Sequence, residues 1–239
     1  MADLENVKLN VNGSTMTTTL YQGDKNRLRG GVILIHGGFG LEPGVLRMAK
    51  RLSLVKYAVV ATDMYHRPGD ADSRNVMENI GKLTWEDAQE DIEAARSYLI
   101  NECDLVPEKI AVVGFCMGGA LAWMSAATLD IGAAVVYYPH EVFQPFGKGG
   151  PTPFDMSGDI KVPVLGHFGV EDTNPSPNDM SKMDAALNEA RVPHQFCEYK
   201  KAGHGFVSAS PEYNRPAAAT TSIDRTIGWL DINLKQGDA

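Results

Sequence analysis

The stretch Ile110-Ala111-Val112-Val113-Gly114-Phe115-Cys116-Met117-Gly118-Gly119-Ala120 decides the reading of this chain. A short apolar run, mostly β-branched, leads into Gly114, and an alanine-rich apolar segment begins at Ala120. A strand covered on both faces, followed by a helix, accounts for that order. Gly-x-Cys-x-Gly between them is the pattern of a nucleophile held on a tight strand-to-helix turn, the nucleophile elbow. The glycines follow from sterics: such a turn brings strand and helix too close for Cβ atoms beside the nucleophile. Cys116 then stands at a helix N-terminus, where the dipole and free N–H groups favour a thiolate. The Met117 N–H is expected to point at the oxyanion of an acyl transfer. Cys103 and Cys197 have no such setting and read as ordinary buried residues.

Working outward, apolar runs at 31–35, 57–61, 109–113, 133–138 and 162–168 predict buried strands, and the alternating 194–199 predicts an edge. Segments 5–11 and 17–21 about Asn12-Gly13 predict a hairpin. Thr84 with Asp87 resembles a capping box before the stripe Ala88, Ile92, Ala95, Leu99. Further helical stripes are Met180, Met183, Leu187, Ala190 and Ile223, Ile227, Leu230, Leu234. The alternation predicts one three-layer α/β domain over 1–239, a mostly parallel sheet with helices on both faces. Two long connections, 62–83 and 139–161, fall at the carboxyl ends of strands, where open α/β sheets bind ligands.

A histidine between glycines, Gly203-His204-Gly205, follows the edge strand and is the candidate general base. With an ordinary histidine pKa, activity would fall on the acid side as His204 takes up a proton. In this chain order the acid lies between nucleophile and histidine. Asp172 after strand 162–168 is preferred over Glu171, with Asp155, Asp159 and Asp179 further behind. His36-Gly37-Gly38-Phe39-Gly40, after the first buried strand, resembles an oxyanion loop, with the Gly38 N–H as second donor. It is not a dinucleotide fingerprint. The six histidines form no HxH or HxxxH set, so no metal is expected, nor any cofactor.

Composition excludes other classes. The net charge of −8 (22 basic against 30 acidic residues), without a dense basic run, argues against nucleic acid. No apolar run approaches the length of a membrane span. Three scattered cysteines suggest reduced thiols, and MADLENVKLN has no signal-peptide pattern, so a cytoplasmic protein acting on a small molecule is expected.

The motifs His36-Gly-Gly-Phe-Gly-Leu, Asp63-Met-Tyr, Gly114-Phe-Cys-Met-Gly-Gly, Tyr137-Tyr138, 169–172 and Gly203-His-Gly-Phe together resemble the dienelactone hydrolase family of α/β-hydrolases. The resemblance implies a Cys116–His204–Asp172 triad that cleaves esters or lactones through an acyl-cysteine. Members carry a glutamate that contacts the resting cysteine, where this chain has Gly37. They also carry an arginine soon after the histidine that holds a substrate carboxylate, where this chain has Val207 and Ser208. Their tyrosine pair is followed by glycine, here by Pro139-His140. By position, Phe39, Tyr65, Trp85, Tyr138 and Phe206 are candidates for the pocket wall, and Arg67 or Arg74 for an anion anchor. A non-catalytic small-molecule binder on the same fold is the alternative.

Overall fold

The computed structural model describes residues 3–22, 27–67 and 76–234. Its centre is five strands in which every residue is buried: β3 (Gly30–Ile35), β4 (Tyr57–Thr62), β5 (Ile110–Phe115), β6 (Ala133–Tyr137) and β7 (Val164–Gly169). Their continuous apolar character is what burial on both faces requires. The hairpin β1 (Asp3–Val11) and β2 (Ser14–Gln22) turns at Asn12-Gly13, both at positive φ. With β8 (His194–Tyr199) they complete a sheet in the order β1-β2-β4-β3-β5-β6-β7-β8. Strands β4 to β8 run parallel with β3, while β2 meets β4 antiparallel.

Alternation within the strands produces two cores. Ile33, Ile35 and Val60 face one way, against α3 (Trp85–Cys103), α4 (Met117–Thr128) and α5 (Pro177–Glu189). Val32, Leu34 and Val59 face the other, against α1 (Pro43–Leu54) and α6 (Pro216–Asn233). This is the three-layer arrangement that the βα alternation predicts. Thr84 caps α3 by accepting the Asp87 N–H at 3.1 Å.

The structure adds to the sequence reading in the connections. Helix α1, starting at Pro43, carries a readable stripe of Val45, Met48, Ala49 and Leu52, but the glycine-rich loop before it hides its start. Segment 62–83 contains the short helix α2 (Val76–Lys82), and 139–161 contains a 3₁₀ turn at Pro153–Asp159. Among the described residues, no helix is long and apolar enough to cross a membrane.

Candidate active site

Cys116 occupies the single residue between β5 and α4, at φ 56 and ψ −119. A residue with a Cβ reaches that conformation only where its surroundings over-determine it. Here they do. A Cβ on Gly114 would lie 1.8 Å from the Gly118 carbonyl oxygen, so strand and helix cross at a distance only glycine allows. The Cys116 N–H donates to the Tyr137 carbonyl at 3.0 Å, and its own carbonyl accepts the N–H groups of Gly119 (2.9 Å) and His140 (3.0 Å). Met117 opens α4, so its N–H has no acceptor one turn back.

Asp172 follows β7 in a turn closed by its N–H donating to the Gly169 carbonyl at 3.1 Å. Its Oδ1 accepts the Asn174 N–H at 3.0 Å and its Oδ2 accepts His204 Nδ1 at 3.0 Å. The carboxylate can only accept, so Nδ1 carries a hydrogen and Nε2 is the free end of the ring. Nε2 is buried without a hydrogen-bond partner. Burial alone would lower the His204 pKa, but the bond to Asp172 and the interactions with Cys116 outweigh it and raise it to about 10. The ring is therefore an imidazolium at neutral pH, which moves the acid-side titration expected of an ordinary histidine.

The glycine-rich loop 36–40 is held from behind. His36 is fully buried, accepts the Met64 N–H at its Nε2 (3.0 Å) and donates from Nδ1 to the Gly37 carbonyl (2.6 Å). The Tyr65 hydroxyl donates to the Gly38 carbonyl at 3.2 Å. Gly37 abuts the nucleophile: a Cβ there would stand 3.0 Å from Cys116 Cβ. The position that holds a glutamate in the resembled family is thus packed against the cysteine's own side chain.

Cys116, His204, Gly37 and Gly38 share a cavity of about 200 Å³ with Phe39, Val76, Ile80 and Tyr138. Its wall is mostly apolar. Apart from the two histidines and the cysteine, Glu42 is the ionisable carboxylate in its lining, and no lysine or arginine lines it among the described residues. The pocket-wall candidates divide. Phe39 and Tyr138 line the cavity, whereas Tyr65 supports the loop from behind. Trp85 is buried at the start of α3, and Phe206 is buried against Tyr137, Tyr138 and Tyr199. Arg67 is committed to Asp91, with contacts of 2.8 and 3.0 Å, and Arg74 lies outside the described residues.

His140 is the residue that sequence reasoning missed as part of the site. Its ring centroid is 5.5 Å from that of His204, and its Nε2 is buried without a partner. Burial, then the charge of His204, lowers its pKa, so it stays neutral. One atom each of Cys116, His140 and His204 lie within 4.8 Å of one another. The only signal was its place after β6, since no local spacing links residues so far apart in the chain.

A covered parallel sheet with an elbow after β5, an acid after β7 and a histidine after β8 is an α/β-hydrolase. The chain belongs to the dienelactone hydrolase family, whose model matches residues 16–233. It is 28% identical over 220 residues to the carboxymethylenebutenolidase of Rhodococcus opacus, covering 87% of this chain and 83% of that relative. In fold it is similar to a dienelactone hydrolase-like promiscuous phosphotriesterase from metagenomic libraries (TM-score 0.81, 20% identity, 98% of this chain and 100% of that one). It is also similar in fold to the dienelactone hydrolase of Anabaena variabilis (TM-score 0.76, 15% identity, 98% and 99% covered).

Proposed function

We propose that this protein hydrolyses a small, uncharged ester or lactone through an acyl-Cys116 intermediate. The observation that carries the reading is the strained elbow cysteine beside a His204–Asp172 pair in one apolar cavity. The attacking form pairs a Cys116 thiolate with a His204 imidazolium, the thiol proton having passed to Nε2. The thiolate attacks the carbonyl carbon, a C–S bond forms, and the oxyanion is received by the N–H groups of Met117 and Gly38. Collapse breaks the C–O bond, and the imidazolium gives its proton to the departing alkoxide. Water then attacks the thioester, neutral His204 takes its proton, and the acid leaves as the ion pair is restored. Asp172 keeps Nδ1 protonated and the ring in line throughout.

The lining argues for an uncharged substrate. A substrate carboxylate would enter beside Glu42 with no described lysine or arginine to meet it. The Rhodococcus relative is a carboxymethylenebutenolidase, so the natural comparison is between a dienelactone and a neutral substrate. The test is steady-state turnover of a dienelactone and of a chromogenic short-chain aryl ester, for the wild type and Cys116→Ala. The expected result is aryl-ester turnover that falls by roughly 10³-fold or more in the variant, with the dienelactone the poorer substrate. Full activity in Cys116→Ala would refute the mechanism, and a preferred dienelactone would refute the substrate assignment. Stoichiometric binding without turnover would favour the binding protein.

A further inference from the structure

Two imidazole nitrogens, His140 Nε2 and His204 Nε2, are buried without a hydrogen-bond partner, and one ligand atom each of Cys116, His140 and His204 lie within 4.8 Å of one another. We propose that Cys116, His140 and His204 form a site for a thiophilic divalent cation, Zn²⁺ in the first instance, whose occupation reversibly blocks the nucleophile. The inference rests on the reading of Cys116 as nucleophile for its inhibitory consequence, though not for the binding itself.

The donor set is one that zinc selects: a thiolate and two imidazoles, with the cavity side left open as a fourth position. Tetrahedral zinc at ordinary bond lengths sets its ligand atoms roughly 3.3–3.6 Å apart. The three atoms here already lie within 4.8 Å, so closure needs side-chain shifts of roughly 1 Å. The backbone between them is fixed, because the His140 N–H donates to the Cys116 carbonyl at 3.0 Å.

The surroundings match those of zinc histidines, which donate their second ring N–H to a carboxylate or a backbone carbonyl. His204 does so to Asp172 at 3.0 Å. His140 Nε2 is buried without a hydrogen-bond partner and so is open to a metal. Asp172 and Asn174 belong to one turn, closed by the Asn174 N–H donating to Asp172 Oδ1, and Asn174 Oδ1 accepts the Glu141 N–H at 3.0 Å, so this segment braces the His204 ring and the backbone beside His140. Glu141 Oε1 stands 3.7 Å from His140 Nε2 itself and adds negative charge beside the site. Binding displaces the proton of His204 and takes the thiolate sulfur as a ligand, so the cation and an ester compete for the same atoms.

The test is titration of the full-length protein with Co²⁺, under a phosphine reductant so that no added thiol competes. The expected result is a thiolate-to-cobalt charge-transfer band in the near ultraviolet, tetrahedral d–d bands in the visible, and loss of both on adding Zn²⁺. Cys116→Ser should abolish the charge-transfer band. His140→Phe, which keeps an aromatic ring in place, should weaken cobalt binding by roughly tenfold or more, with His140→Asn as a second variant and a thermal melt to establish folding. Zn²⁺ should inhibit aryl-ester turnover and a chelator should restore it. Absence of the sulfur band, or cobalt affinity in both folded His140 variants equal to wild type, would overturn the site. The band without any ester turnover would instead count against the hydrolase reading alone, because the spectrum reads the ligands and not the reaction.

Discussion

Among the described residues, two aspartate–histidine pairs have a buried carboxylate, each with a nucleophilic atom on or near the far side of the ring. In one, His204 Nδ1 meets Asp172 at 3.0 Å and the opposite nitrogen faces Cys116. In the other, His66 Nε2 meets Asp91 at 2.9 Å while its Nδ1 accepts from the Ser14 hydroxyl at 3.2 Å. Connectivity is the same, and the surroundings are not. Asp91 gives both oxygens to Arg67, at 2.8 and 3.0 Å, so its charge is already answered by a cation. Asp172 answers only a backbone N–H and the imidazole. Ser14 sits in a hairpin strand, whereas Cys116 sits on a strained turn at a helix N-terminus over an apolar cavity. A string of acid, histidine and nucleophile becomes reactive when the acid's charge is left for the imidazole and the nucleophile faces a space where a substrate fits.

Exchanging the roles of the two acids gives the largest effects. Asp172→Asn should lower kcat for ester hydrolysis by roughly 10²–10⁴-fold, because the ring loses its tautomer and the charge that holds its proton. It should also lose stability, because the charged His204 ring loses its acceptor, so the effect is read as kcat per folded molecule. Asp91→Ala should act on stability alone, costing about 3–5 kcal/mol as His66 and Arg67 lose a fully buried carboxylate. Turnover per folded molecule should be unchanged. Denaturant titration and active-site titration of both variants check this, and an Asp91 variant inactive while folded would erase the distinction.

The pH dependence sharpens the same contrast. His204 holds its proton until about pH 10. The proton needed by the leaving alkoxide is therefore present through neutrality in the free enzyme, and kcat/KM should decline only as pH approaches about 10. The sign for stability follows from the raised pKa. The contribution of the charged ring is complete below the unfolded value near 6.5 and is lost as pH rises toward about 10. The stability gap between wild type and His204→Gln should shrink across that window, read by chemical denaturation at several pH values. In Asp172→Asn the alkaline limb of kcat/KM should move to lower pH, while Ser14→Ala leaves it in place.

Much of this was legible before any coordinates. Uninterrupted apolar runs mark β3 to β7 because strands buried on both faces cannot alternate, and Gly114-x-Cys116-x-Gly118 marks the crossing that only glycines permit. Asp172 and His204 could be nominated because chain order and strand ends restrict where an acid and a histidine can meet an elbow, and the structure brings the two within hydrogen-bonding distance. Other features depend on tertiary placement. His140 joins the site through the path of the chain after β6, and Arg67 is taken up by a buried acid on α3 that no local spacing announces. Tyr65 lies near the site in sequence order and in space, yet behind the loop, because it follows β4 beneath the glycines. Proximity to a strand end fixes that a residue is close, and packing decides which side of the loop it takes.

Tyr65 stands between the two regions, and its hydroxyl offers the finest test. Residues 63–67 carry the oxyanion loop's support at one end and the His66–Arg67 cluster at the other. The hydroxyl donates to the Gly38 carbonyl and has Met117 Sδ at 3.8 Å, so it steadies the two segments proposed to donate N–H groups to the oxyanion. Tyr65→Phe removes one hydrogen bond of about 0.5–1.5 kcal/mol. If that bond aligns the loop, the loss should appear in kcat, as a fall of roughly 2–12-fold with KM unchanged, since the donors act on the transition state. Ser14→Ala removes a bond of similar length, at 3.2 Å, from the other pair and should leave kcat at the wild-type value. Equal effects of the two substitutions would mean that the hydroxyls serve stability alone and that the oxyanion loop is held by His36 and its own turn.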